Sequence, residues 1–225
     1  APARPAHAVK SYDSSGAHIT ACVEASLRAL RTDRIDVLLL HRPDALMDPD
    51  AVAEAFHALR SAGKVLHFGV SNHSPSQFAL LHRRFPLVAN QIELSALQTQ
   101  ALGDGTLDQA VDLGLRPMIW SPLAGGWLSG KYKRDVALQG ASRLGENPNR
   151  GMEAFGPRNA QERTWKVIEA VAFIAKSRGV SMAQVALAWV AAQPSVTSVL
   201  LGARTREQLA DNLAAANLKL TSEEL

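Results

Sequence analysis

The stretch "IDVLLLHRPD", residues 35–44, runs large aliphatic residues straight into His41, Arg42, Pro43 and Asp44. An apolar run of this length, bounded by a turn residue, has the signature of a buried strand. The pattern therefore predicts a strand over 35–41, buried on both faces, with an ionisable imidazole at its carboxyl tip. Four other runs read the same way: VLHFGVSN (65–72), VANQIEL (88–94), RPMIWSPL (116–123) and VTSVLLG (196–202). Segments of helical period lie between them. Residues 17–31 place Ile19, Val23, Leu27 and Leu30 on one face, and residues 50–62 do so with Val52, Ala55, Phe56 and Leu59. Residues 106–113 repeat Leu107, Ala110 and Val111, and residues 161–177 repeat Trp165, Ile168, Val171 and Ala175. Ser74, with Pro75 next and Gln77 three positions on, predicts a capping box opening a helix over 75–84. Ser181 with Gln184 and Thr205 with Gln208 predict two more.

Strands alternating with helices imply βα units and a parallel sheet. An open doubly wound sheet and a closed (β/α)8 barrel share that grammar. The barrel is favoured by the polar residues at the strand ends: His41, Asn72, Gln91 with Glu93, Ser121, and Arg204 just beyond Gly202. In a (β/α)8 barrel all such ends open on the face that carries the active site. A lone histidine at a strand end is often only hydrogen-bonded to backbone. With four further polar ends beside it, His41 reads instead as the mouth of a pocket. Trp120 is either a core ring or an aromatic face for a flat ligand. Five strands fall short of eight, and the first helix has no strand before it. Three βα units are expected upstream of the first residue.

Composition narrows the function classes. Of 225 residues, 47% are hydrophobic and 20% charged, which is ordinary for a soluble globular chain. No apolar run is long enough to span a membrane and no secretory leader opens the sequence; the use of a single cysteine leads us to expect a reducing, cytoplasmic setting. The Pro/Ala-rich lead-in APARPAHAVK (1–10) reads as flexible. The single cysteine, Cys22, excludes an internal disulfide framework and reads as a packed structural thiol. No His, Cys, Asp or Glu cluster has metal-ligand spacing. The net charge of +3 is too small to imply nucleic acid. It is concentrated, however, in residues 124–163, where seven basic residues face four acidic ones. That segment is either a solvated irregular loop or a basic flap over an anionic small molecule.

Together, DVLLLHRPD, GKVLHFGVSNHSPSQ, VANQIELS, WSPLAGGWLSGKY, ALAWV and VLLGARTREQLADNL resemble the aldo-keto reductases, from about Val9 to Leu225. The resemblance implies one (β/α)8 domain of aldo-keto reductase type over 1–225, of which the five carboxyl-terminal strands are recognisable. It implies reduction of small aldehydes or ketones by NADPH, with NADH as the alternative cofactor. His41 is similar to the histidine that orients the substrate carbonyl. Ser71, Asn72 and Gln91 match the residues holding the nicotinamide carboxamide, which fits side chains that both donate and accept. Trp120 matches the ring against the nicotinamide face. Ser121, Leu123 and Gly125 to Gly126 match the pyrophosphate loop, and Lys131 and Arg143 match residues that close over the phosphates. Gly202, Arg204, Gln208, Asp211 and Asn212 match the adenosine end. There, a helix N-terminus after Thr205 and the Arg204 guanidinium suit a phosphate, and Gln208 and Asn212 share a helix face.

The family's aspartate, proton-donating tyrosine and lysine match nothing in this sequence; neither Tyr12 nor Tyr132 ends a strand. Two other readings therefore stand beside the reductase: an NADPH-binding sensor or regulatory protein without turnover, and an inactive barrel fragment. The sequence leaves the substrate and the oligomeric state open. The segment up to about Leu123 looks closest to short-looped bacterial members. The segment after about Gly126 looks closer to those related to potassium-channel β subunits.

Overall fold

A computed structural model describes residues 12–134, 136–138 and 142–225. The expected flexible lead-in, 1–10, lies outside these residues, as does Asp135 of the basic segment. The described chain divides into two compact units, one of residues 12–92 with 108–117, the other of 93–107 with 118–225.

In the first unit, helix α1 (Gly16–Leu30) leads into strand β1 (Ile35–Leu40), α2 (Pro49–Ser61), β2 (Val65–Ser71), α3 (Pro75–His82) and β3 (Asn90–Glu93). Strand β2 pairs in parallel with β1, Ile35 opposite Val65 and Leu40 opposite Val70. It also pairs with β3, Ser71 opposite Gln91. The core joins Val23 and Leu27 of α1 to Val52 and Phe56 of α2, Val65 and Phe68 of β2, and Phe85. Phe56 stacks on Phe68 with ring centres 4.2 Å apart, and Phe85 meets both edge-on. Burial of such rings is the main favourable term here, worth roughly 2 kcal/mol or more per side chain.

Several local expectations need correction. Strand β1 is not fully buried: Asp36 is exposed and Val37 is 42% exposed, because among the described residues β1 has a neighbour, β2, on one side only. Cys22 is an exposed thiol with Sγ 3.4 Å from His18 Nε2. The buried stripe of α1 passes through Ile19, Val23 and Leu27 and leaves Cys22 facing outward. Leu30 is also exposed, since the helix ends one residue later in left-handed Arg31. Val111 likewise points to solvent. Of the three capping boxes only that of Ser74 and Gln77 is reciprocal. Ser181 and Thr205 accept their N3 amides, but the Gln184 and Gln208 side chains turn elsewhere, to Asp211 and to the Arg204 amide.

In the second unit, β4 (Met118–Trp120) pairs in parallel with β5 (Ser198–Val199). Helix α4 (Thr106–Asp112) precedes β4; most of it, from Asp108 onward, belongs to the first unit, where Ala110 joins the core. The basic segment 124–163 is not an irregular solvated loop. It contains helices α5 (Arg143–Glu146) and α6 (Phe155–Asn159) and 3-10 turns at Ala124–Ser129 and Gly151–Glu153. Trp127, Leu128 and Leu144 within it are fully buried. They pack on Trp165, Ile168 and Val171 of α7 (Glu162–Arg178) and on Val185 and Ala186 of α8 (Met182–Ala191). Helix α9 (Arg206–Ala214) follows β5, its first turn capped by Thr205.

Candidate active site

In the first unit, the strand tips bring His41, Ser71, Asn72 and Gln91 together. Asn72 takes a left-handed backbone (φ 60°), uncommon for a non-glycine residue and stored mostly at functional sites. The bend is held from several directions. The Asn72 amide donates to the Gln91 carbonyl at 2.9 Å. Its side-chain Nδ2 donates to Ser71 Oγ at 2.7 Å and to the His41 carbonyl at 3.3 Å. Ser71 Oγ in turn donates to the Gln91 carbonyl at 2.8 Å. One network thus joins the ends of three neighbouring strands, with the exposed His41 ring on its rim.

Three residues of this region carry no strand-end signal and sequence reasoning missed them. The Tyr12 ring lies edge-on to that of His41, centres 6.4 Å apart. His73 is 3% exposed, and its Nδ1–H donates to the Ser71 carbonyl at 3.0 Å. Asn90 clamps it, accepting from the His73 amide at 3.4 Å and donating to its carbonyl at 2.8 Å. Burial pushes the His73 imidazole below its ordinary value, only partly offset by the Ser71 hydrogen bond. Below about pH 6.5 the unfolded chain binds a proton that the folded chain refuses, so stability falls as pH drops and is unaffected above that value. In urea titrations between about pH 7 and 5, His73→Gln is expected to flatten this slope. An unchanged slope would remove His73 as its source.

In the second unit, a cleft of about 770 Å³ is lined by Trp120, Ser121, Gly125, Lys131, Arg143 and Arg204, among others. Leu123, Gly126, Gly202, Gln208, Asp211 and Asn212 also border it. The loop after β4 is backbone-strained: Ser121 and Ala124 take φ of 57° and 48°, and Gly125 and Gly126 take 66° and 99°. Glycine alone accepts the last of these cheaply. The Lys131 chain packs against Gly126. Burial of its ammonium, then repulsion from Arg204 and Arg143, lowers its pKa, while Glu153 opposes the shift. Arg143 Nε pairs with Glu153 Oε2 at 3.0 Å, and Ser121 Oγ donates to Glu153 Oε1 at 3.1 Å. Arg204 pairs with Glu146 at 2.8 Å, which raises its pKa. Glu146 and Glu153 had no signal in the sequence, because acids in a basic segment read as solvated.

The remaining expected residues have internal roles too. Asp211 is held by Ser181 Oγ at 2.7 Å and Gln184 Nε2 at 2.6 Å. Asn212 is buried and donates to the Gly202 carbonyl at 3.4 Å. Gln208 accepts from the Arg204 amide, which fixes the turn before α9. The cleft lining carries four cations, Lys131, Arg143, Arg150 and Arg204, beside three carboxylates, Glu146, Glu153 and Asp211. With the strained loop backbone and a capped helix N-terminus, the chemistry it offers is the binding of a multiply charged anion. Among the described residues no group of three His, Cys, Asp or Glu is arranged to hold a metal, and no helix is long and apolar enough to cross a membrane.

The chain is similar to known oxidoreductases. Oxidoreductase YdhF of Escherichia coli is 37% identical over 99% of the chain, and Uncharacterized oxidoreductase YcsN of Bacillus subtilis is 55% identical over 56% of it. A glycerol dehydrogenase from Gluconobacter oxydans superposes with a TM-score of 0.78 at 29% identity over 94% of the chain. The chain spans 65%, 42% and 62% of the lengths of these three proteins. Its fold is thus the α/β fold of (β/α)8 aldo-keto reductase barrels, represented by five parallel strands and their helices. The profile of the Aldo/keto reductase family matches residues 5–225, and the chain belongs to that family.

Proposed function

We propose that this chain is the greater part of an NADPH-dependent reductase of small aldehydes and ketones, with NADH as the alternative cofactor. The observation that carries this reading is the cationic cleft of the second unit, where Lys131, Arg143 and Arg204 surround a glycine-built loop. The donor set suits a dinucleotide: Ser121, Gly125 and Arg143 would hold the pyrophosphate, and Arg204 with the α9 N-terminus a 2′-phosphate. Gln208 and Asn212 would border the adenine, and Trp120 the nicotinamide ring. Ser71, Asn72 and Gln91 would hold the carboxamide, whose oxygen and NH2 need both donors and acceptors.

A nicotinamide cofactor held by these residues would supply the hydride for the carbonyl carbon of the substrate. His41 would donate a hydrogen bond to the carbonyl oxygen and fix its orientation, and its exposed position at the rim suits a ligand arriving from solvent. The alkoxide formed needs a proton from a tuned donor. In the family's pattern that is a tyrosine, which no motif of this sequence supplies. We place the protein in the cytoplasm.

Titration of NADPH against tryptophan fluorescence tests the cofactor site. Saturable quenching is expected, with affinity falling roughly tenfold or more in Arg204→Ala. Consumption of NADPH with nitrobenzaldehyde, lost in His41→Ala, separates turnover from sensing. No binding of NADPH by the folded chain would sink the reading.

A further inference from the structure

Both guanidinium groups expected to meet cofactor phosphates are engaged by glutamates of the same segment. Glu153, 7% exposed, holds Arg143 and receives Ser121 Oγ. Its carboxylate also lies so close over Gly125 that a Cβ there would collide with it. Ser121, Gly125 and Arg143 are the three groups to which the pyrophosphate is assigned, so one carboxylate touches all of them. Seven residues earlier, Glu146 holds Arg204, the group assigned to the 2′-phosphate. The backbone carbonyl of Glu153 accepts from buried Trp127 Nε1 at 3.2 Å, which fixes where its side chain starts.

We propose that Glu153 and Glu146 are specificity-determining residues of the cofactor site: internal anions that the pyrophosphate and the 2′-phosphate must each displace. This rests on the cofactor reading above. A carboxylate and a phosphate are both oxyanions and compete for the same donors, but phosphate offers more oxygens and more charge. Among the described residues, Glu153 Oε2 has the Arg143 ion pair but accepts no hydrogen bond of good geometry. That carboxylate is under-satisfied for its burial, so exchange for a phosphate relieves it. Apparent affinity is the intrinsic affinity reduced by the fraction of molecules whose cations are released. The two glutamates act on different parts of the ligand. Every nicotinamide dinucleotide carries the pyrophosphate and must displace Glu153. Only NADP(H) must displace Glu146, whereas NAD(H) leaves the Glu146–Arg204 pair in place.

Calorimetric titration of the folded chain with NADPH, NADH and inorganic pyrophosphate tests this. Glu153→Gln keeps shape and removes charge, and it is expected to tighten all three ligands by about tenfold. Glu146→Gln is expected to tighten NADPH by about threefold and leave NADH unchanged. A purely structural role would weaken all ligands or none. If the parent chain binds NADPH and Glu153→Gln binds it no better, the exchange is wrong while the cofactor site stands. If Glu146→Gln loses affinity for NADH, Glu146 contacts the ribose and its assignment here is overturned. If parent and variants all fail to bind NADPH, the cofactor reading falls and the exchange with it. Glu146 is half-exposed and its replacement does not threaten folding, so the second variant decides the matter even if the first unfolds.

Discussion

A Gly69→Val chain is expected to lose the cooperative unfolding of its first unit, with a cost of about 3 kcal/mol or more. Gly69 lies in β2 opposite Leu39 of β1. A Cβ added there would stand 2.6 Å from the Ala89 carbonyl oxygen and 2.7 Å from Leu39 Cδ2. The leucine tip can rotate away. The carbonyl cannot, because it accepts the ladder hydrogen bond from the Val70 amide at 2.9 Å. Relieving the clash therefore means breaking the β2–β3 pairing that carries Ser71 and Asn72. Glycine in a strand interior often marks such a close backbone approach. Urea unfolding followed by circular dichroism measures the loss, with Gly103→Ala as control, since nothing lies within 4 Å of that position. A Gly69→Val midpoint equal to the parent's would refute the explanation.

The second large effect is expected at Trp127. Its side chain is fully buried and stacks on Phe155 at 5.3 Å, with Tyr132 and Trp165 at 5.3 and 5.8 Å. Trp127→Ala should cost about 3–5 kcal/mol through the lost transfer energy and the cavity left behind. Its indole N–H also holds the Glu153 carbonyl, so the substitution frees the segment that carries this glutamate. Trp127→Phe keeps most of the ring packing but drops the donor, and should cost about 1 kcal/mol for the hydrogen bond beyond the lost ring volume. Thermal unfolding of both variants checks the ranking. A drop in stability for Trp127→Ala no greater than for an exposed residue such as Phe173→Ala would show that the cluster contributes little.

Much of the framework was legible in the chain. All five strands and the seven expected helices appear, though the strands are shorter than their apolar runs. VTSVLLG becomes only Ser198–Val199, and RPMIWSPL only Met118–Trp120. Hydrophobic runs continue past the ladder because loop residues such as Leu123 also pack inward, against Trp127 and its neighbours. Side-chain partners were less legible. Gln184 has capping-box spacing, yet it satisfies Asp211, because a carboxylate binds an amide more strongly than the backbone N–H of the cap does. Cys22 reads as packed from its apolar neighbours, whereas its angular position on α1 places it in solvent.

The sequence by itself determined the alternation of parallel strands and helices, the polar strand tips and the family. Period, capping and turn chemistry are local, and each is written in a few consecutive residues. Only the tertiary structure decided which charges meet. Glu153 reaches Ser121 across 32 positions and Glu146 reaches Arg204 across 58. An ion pair depends on where two side chains end up in space, and no short-range pattern records that distance.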